Sequence, residues 1–358
     1  MPDKVELRIG ADIKNKIPGV IIEHFIDYQI DSDLYTPADA FRLKLANPGT
    51  AIKPGLICEL FINGKKELTG IIDKVRRKVS KAGVTLDVEG RDFMGLLVDS
   101  YCEPPWPTLT DKKLQDLAQT LLAKVPFINR KDIIYQPGIA IKRKKTTTTV
   151  LSDSAQKLCQ IAPGQTIFEV LKMYSMSRGL LFYCQPDGKL VFGRPMAKGD
   201  PEYTLQLLLS GEGNNVIESE VVDDISRRFS KITVIGQQQG SQSTVLAAGI
   251  NTPPGVQIDS EFPFYKPLVA LDNNDSLSPK EHARLLMEKQ RRAGKHFVYK
   301  VGRHSQNNQN WMINKFCHIQ DEVQDIDGDY LIFGRTFELS KEEGPTTKLK
   351  LALPGLII

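Results

Sequence analysis

Apolar and polar residues alternate along much of this chain. Val5-Glu6-Leu7-Arg8-Ile9 does so, and so does Phe41-Arg42-Leu43-Lys44-Leu45. A period of two places one face of a strand in a core and the other in water. Gly19 to Ile30 is a longer, more apolar run. Asn47-Pro48-Gly49, Pro54-Gly55, Asn63-Gly64 and Ala82-Gly83 punctuate the runs as turns, so the front of the chain reads as short strands of a small barrel or sandwich.

Two stretches carry helical signals instead. Leu114, Leu117, Leu121 and Val125 share one helical face, beyond the proline-rich junction Cys102 to Pro107. Thr166 followed by Glu169 forms a capping box, which predicts a helix from Ile167 that stops at Gly179. A hairpin from Leu180 to Cys184 and Leu190 to Phe192 follows, around Pro186-Asp187-Gly188. Ser278, Pro279 and Glu281 predict a further helix ending near Gly294, with Arg291, Arg292 and Lys295 at its negative end.

The strand plan recurs. Leu56 to Leu60 matches Cys317 to Ile319, Gly70 to Val75 matches Leu331 to Thr336, and Gly83 to Val88 matches Gly344 to Leu349, all shifted by about 261 residues. Few residues are identical, so the match is one of pattern, and real duplication and two ordinary β-hairpin runs both fit it. The expected organisation is a first β module over 1–97, a middle α/β domain over 98–199, and a second β module over 200–358. The last carries a helical insertion at about 237–295.

Length and composition fit such a protein. The 358 residues are 41% hydrophobic and 25% charged, with a net charge of +4, too weak to argue for a dedicated nucleic-acid binder. Five cysteines, Cys58, Cys102, Cys159, Cys184 and Cys317, include no CxxC pair and suggest a reducing compartment without a disulfide framework. Met1 to Val5 lacks the apolar stretch of a signal peptide, and no run approaches membrane-span length.

Candidate chemistry is sparse. His24, His282, His296, His304 and His318 form no HExxH and no zinc spacing with cysteine. Cys317 and His318 are adjacent in a strand, so they point to opposite faces and cannot act as nucleophile and base. Asp325 to Asp329 has its glycine too early for a calcium loop and reads as a hairpin turn. Lys142 to Lys145, followed by four threonines, reads as a solvated basic loop or strand edge, with nucleic-acid contact as the alternative. No nucleophile elbow, phosphate loop or dinucleotide fingerprint occurs. The expectation is no catalytic, cofactor-binding or metal-binding residue. A carboxylate pair of glycosidase type is not visible in sequence either way.

The order of short motifs is more informative. Gly90-Arg91-Asp92-Phe93-Met94-Gly95-Leu96-Leu97 closes the first module. Pro163 to Leu171, Arg178 to Tyr183 and Asp187 to Phe192 follow, then Gly211-Glu212-Gly213-Asn214-Asn215, Arg227 to Ser230, Tyr265 to Leu268 and the closing strands to Leu351. This succession resembles the baseplate hub, or tail protein P, family of Mu-like contractile phage tails.

The resemblance implies an α+β, mainly β fold, with two small β-barrel tube modules flanking a middle α/β domain. It implies a homotrimeric ring of six similar barrels, with the tail tube protein, the central spike protein and other baseplate proteins as partners. DNA would pass through the channel without specific binding, and there would be no membrane insertion. The expected location is the virion tail baseplate, assembled in the bacterial cytoplasm. Ring contacts are expected strand edge to strand edge, with Ala40 to Leu45 and His296 to Arg303 as candidate edges. The alternatives are a cell-wall-acting enzyme or glycan-binding module, because Pro163 to Thr166 also opens like a LysM unit, and the hub of a phage-like injection system.

Overall fold

The computed structural model describes residues 3–10, 19–46, 49, 51–81, 83–104, 108–137, 140–144, 147–150, 156–236, 254–272 and 279–353. The chain is mainly β, and its largest sheet has 13 strands. Six strands from the front of the chain lie side by side in the order Val5–Ile9, Ile57–Ile62, Lys65–Ser80, Gly83–Asp92, Ala40–Ala46 and Asp27–Asp33. Val20–Ile22 flanks the first of them. The apolar run from Gly19 to Ile30 is thus two strands, Val20–Ile22 and one beginning at Asp27.

Six strands from the back of the chain follow the same plan. Their order is Tyr203–Leu207, Lys315–Asp321, Ile326–Ser340, Gly344–Ala352, Lys295–Gly302 and Val216–Asp223. One direction differs: Tyr203–Leu207 runs parallel to its neighbour, whereas Val5–Ile9 runs antiparallel. The likeness extends to irregularities. The hairpin of Lys65–Ser80 with Gly83–Asp92 has a bulge between Ile72 and Lys74. The hairpin of Ile326–Ser340 with Gly344–Ala352 has one between Ile332 and Gly334. A bulge bends and twists a long strand at a fixed point, and here it falls at the equivalent point in both halves.

The local sequence explains the pairing. Phe41, Leu43 and Leu45 are buried, and the polar residues between them are not. Asn63 and Gly64 have φ of 52° and 76°, the left-handed pair that a tight two-residue hairpin needs. At the corresponding back turn, buried Asp321 accepts from the backbone N–H of Val323 at 3.0 Å and of Gln324 at 2.9 Å.

The two strand sets are joined, not separate. Gly334 to Leu339 pairs antiparallel with Asp33 to Tyr28, so one sheet runs from the back set into the front set. One hydrophobic core serves both, including Leu7, Ile30, Leu43 and Leu60 with Tyr299, Ile319, Phe337 and Leu349. Among the described residues the sheet branches at Ile326–Ser340 and has three terminal strands, Val20–Ile22, Val216–Asp223 and Tyr203–Leu207, and no closed barrel occurs.

A second core lies in the middle of the chain. It is built on helices α1 (Met94–Asp99), α2 (Leu114–Leu121) and α3 (Ile167–Met176). Thr166 caps α3: its hydroxyl accepts from Glu169 N at 3.1 Å, and Glu169 accepts from Thr166 N at 2.8 Å. Beyond α3, Gly179 takes a φ of 69° and the chain turns into the hairpin Leu181–Cys184 with Leu190–Gly193. Phe182 and Phe192 stack there at 4.4 Å. The basic stretch Ala140–Lys144 pairs with Thr147–Val150 in a two-stranded sheet.

The predicted helical insertion is also partly β. Lys231–Gly236 pairs with Gly255–Ile258 and Pro267–Asp272. Helix α4 (Pro279–Gly294) covers this sheet through Ala283 and Met287 against Ile232 and Val234. Ser278, Lys145, Thr146 and residues 237–253 lie outside the described residues.

Candidate assembly site

The seam between the front and back strands carries a buried polar network. Glu67, on Lys65–Ser80, and Arg335, on Ile326–Ser340, have side chains 6% and 3% exposed. Arg335 Nη1 donates to Glu67 Oε2 at 2.8 Å and to the carbonyl of Trp311. Asn310 Nδ2 donates to Glu67 Oε1 at 2.6 Å and to the Ile62 carbonyl at 2.8 Å. Both Glu67 oxygens are therefore filled, which is what a buried carboxylate requires. Arg335 also lies 4.0 Å from the ring centre of Phe337, a cation–π contact.

A second set of bonds crosses nearby. The Tyr28 hydroxyl lies 2.6 Å from His304 Nε2, and His304 Nδ1 lies 3.1 Å from Thr347 Oγ1. Thr347 donates to the carbonyl of Arg303 at 2.7 Å, so its oxygen is an acceptor towards the ring. This assigns the His304 proton to Nδ1, with Nε2 accepting from Tyr28. Burial holds His304 down at about 4 and pushes Tyr28 above the usual phenol range. At neutral pH both are uncharged and fix the seam by shape and hydrogen bonding.

The remaining histidines lie elsewhere in the fold. His24 is exposed and His282 half-buried; His296 is also half-buried and held below the ordinary imidazole value by burial. Cys317 is fully buried while His318 meets Asp329 at 2.8 Å, so the two point to opposite faces as the strand period requires. Cys58, Cys184 and Cys317 are buried free thiols, and burial raises all three. Among the described residues, no group of three or more His, Cys, Asp and Glu could hold a metal ion. No described helix is long and apolar enough to cross a membrane.

Two buried carboxyls invite the glycosidase comparison, Asp39 and Asp92. Burial pushes Asp39 up to about 6; burial, then the charge of Asp39, pushes Asp92 well up. Asp39 accepts from Ser32 Oγ at 2.6 Å and Asp33 N at 3.0 Å, and Asp92 accepts from Met94 N at 2.9 Å. The cavity they line is about 10 Å³, space for a single water at most. Asp39 pins the loop between Asp27–Asp33 and Ala40–Ala46, and Asp92 pins the turn from the front sheet into α1.

The two strands read from sequence as candidate ring edges are not edges. Ala40–Ala46 lies between Asp27–Asp33 and Gly83–Asp92, and Lys295–Gly302 between Val216–Asp223 and Gly344–Ala352. Alternation marks a strand with one face buried, and it carries no information on whether one or both edges are paired.

The mainly β layout, with two matched strand sets joined at one seam, has counterparts among known proteins. A family described as Mu phage baseplate assembly protein GpP-like, N-terminal, matches residues 12–92. The baseplate hub protein gp44 of Escherichia phage Mu is 26% identical over 318 residues, 85% of this chain and 78% of that protein. The tail protein from Neisseria meningitidis MC58 has a TM-score of 0.81 at 25% identity, covering 99% of this chain and 98% of that one. The 43 kDa tail protein of prophage MuSo2 from Shewanella oneidensis has a TM-score of 0.76 at 19% identity, covering 99% and 100%. The resemblance read from the motif order therefore holds: the chain is similar to Mu-like phage baseplate hub and tail proteins.

Proposed function

We propose that this chain is a structural baseplate hub protein whose three copies close into a pseudo-sixfold ring between the tail tube and the central spike. The observation that carries the reading is the matched strand order of the front and back sets, down to the equivalent bulge. One chain then supplies two similar modules, and three chains supply six. Such a ring can meet a sixfold tube on one side and a threefold spike on the other.

In this reading residues 1–97 and 200–358 are the two tube modules, each a barrel-like unit completed by ring closure, and 98–199 is the middle domain. The partners are a second and third copy, the tail tube protein, the central spike and other baseplate proteins. DNA passes through the channel without specific binding. The protein has no enzymatic role, works in the virion tail baseplate, and assembles in the cytoplasm of the bacterium.

Light scattering across a concentration series, alone and with the central spike protein, tests it. The expected mass is that of a trimer at high concentration or with the spike. A chain that stays monomeric under both conditions, or stops at a dimer, overturns the ring. Clearing of a cell-wall zymogram by the purified protein overturns the non-enzymatic part.

A further inference from the structure

The seam inside one chain has an unfilled counterpart, and the repeat says where. Each long strand has two halves. In the back module, Ile326 to Ile332 pairs with Lys315–Asp321, and beyond the bulge Gly334 to Leu339 pairs with Asp33 to Tyr28 of the front module. In the front module, Lys65 to Ile71 pairs with Ile57–Ile62. Beyond its bulge, Lys74 to Val79 has a partner on one side only, Gly83–Asp92, among the described residues. This arm stands clear of the core, with only Val75 partly covered and Val79 72% exposed. The back module has a matching vacancy. Val216–Asp223 ends the sheet, paired only to Lys295–Gly302 among the described residues.

We infer that Val75 to Val79 of one copy pairs antiparallel with Asp223 to Ser219 of the next copy, repeating the internal seam between chains. This rests on the ring reading and specifies its interface. The register follows from the repeat. Gly90 and Leu351 each face the last residue before the bulge, Ile72 and Ile332. Gly90 leads through Phe41 to Ile30, and Leu351 leads through Phe297 to Val221. Val221 therefore stands where Ile30 does. Beyond the bulge, Arg77 faces Leu86 as Phe337 faces Thr347, so Arg77 stands where Phe337 does. Phe337 pairs with Ile30 inside the chain. Arg77 then pairs with Val221 between chains, Lys78 with Glu220, and Val75 with Asp223.

The charges support that register and a second copy as the occupant. Arg76, Arg77 and Lys78 are exposed on the arm; Glu218, Glu220 and Asp223 are exposed on the receiving strand. Lys78 falls directly opposite Glu220, Arg76 diagonal to Glu220, and Arg77 diagonal to Asp223, all within reach across an antiparallel ladder. The contact is head to tail, so each copy gives an arm and receives one, and a ring fills both of these edges.

The test uses the full chain in analytical ultracentrifugation. Reversing the arm (Arg76→Glu with Lys78→Glu) or the receiving strand (Glu218→Lys with Glu220→Lys) weakens trimerisation by about tenfold or more, and combining all four restores it. Unchanged circular dichroism and melting show that each variant is folded. In a second arm, Lys78→Cys with Glu220→Cys gives a trimer on denaturing gels after mild oxidation. Arg77→Cys with Glu220→Cys, on opposite faces, does not. Wild-type trimers that ignore both reversals and give no cross-link overturn this interface and leave the ring reading standing. Absence of any wild-type oligomer and of any cross-link, at high concentration and with the central spike protein present, overturns both.

Discussion

Arg335 and Glu67 are 268 residues apart in sequence and 2.8 Å apart in the structure, and they form a buried charged link between the back and front strands. Each is nearly fully buried. A buried pair contributes little over an apolar pair of the same shape, because desolvation offsets attraction, but removing one partner strands the other. Glu67→Ala leaves Arg335 without its carboxylate and Asn310 Nδ2 without one of its acceptors. The expected loss is roughly 3–5 kcal/mol in denaturant unfolding, against about 1 kcal/mol for an ordinary side-chain hydrogen bond. A loss near the smaller figure would show that the pair does not hold the seam.

His304 gives the seam a pH dependence of definite sign. Its folded value is depressed to about 4 by burial, with Arg335 acting in the same direction and Asp3 against it. A depressed imidazole contributes stability that is complete above its unfolded value, about 6.5, and lost as pH falls towards 4. Asp39, raised to about 6, acts oppositely, since the folded state keeps its proton more readily. Comparing wild type with His304→Gln isolates the histidine. The stability gap between them is expected to change by roughly 3 kcal/mol between pH 7 and pH 4, to the detriment of wild type. Parallel pH profiles would show that His304 is not buried neutral.

Thr166 tests the middle domain separately. Its capping box with Glu169 satisfies two backbone donors at the start of α3, whose Val170, Leu171 and Tyr174 face the second core. Thr166→Ala is expected to cost about 1 kcal/mol, and Thr166→Ser much less. Thermal melting of the two variants checks it; equal melting of Ala and wild type would mean that the box contributes nothing.

Local chemistry was legible in the sequence, and pairing between distant strands was not. The Thr166–Glu169 cap, the Asn63-Gly64 turn and the hairpin around Asp187-Gly188 depend on neighbours within a few residues, and the letters carry that information. The shift of about 261 residues between the two ends was visible because alternation and turn spacing survive when identity does not. Glu67 was invisible as a seam residue. In Lys65-Lys66-Glu67-Leu68-Thr69 it reads as one more charge on a solvated strand, and only Arg335 arriving from the far module makes its burial tolerable. Asn310 and Trp311 were missed for the same reason. The edge assignments failed because an alternating strand looks the same with one paired edge or two.

That failure gives a sharp experiment. Arg42 and Lys300 lie mid-strand in Ala40–Ala46 and Lys295–Gly302, and both strands are paired on each side. Proline has no N–H to donate and its ring crowds the neighbouring backbone, so in a strand with two filled edges one ladder always suffers. Arg42→Pro and Lys300→Pro are each expected to destabilise the isolated chain by about 3 kcal/mol or more, seen as a lowered melting temperature at concentrations where no oligomer forms. On a free edge the same change would leave folding nearly intact and weaken only association. A variant that melts like wild type yet no longer trimerises would therefore contradict the central position of these strands and return them to the rim of the module.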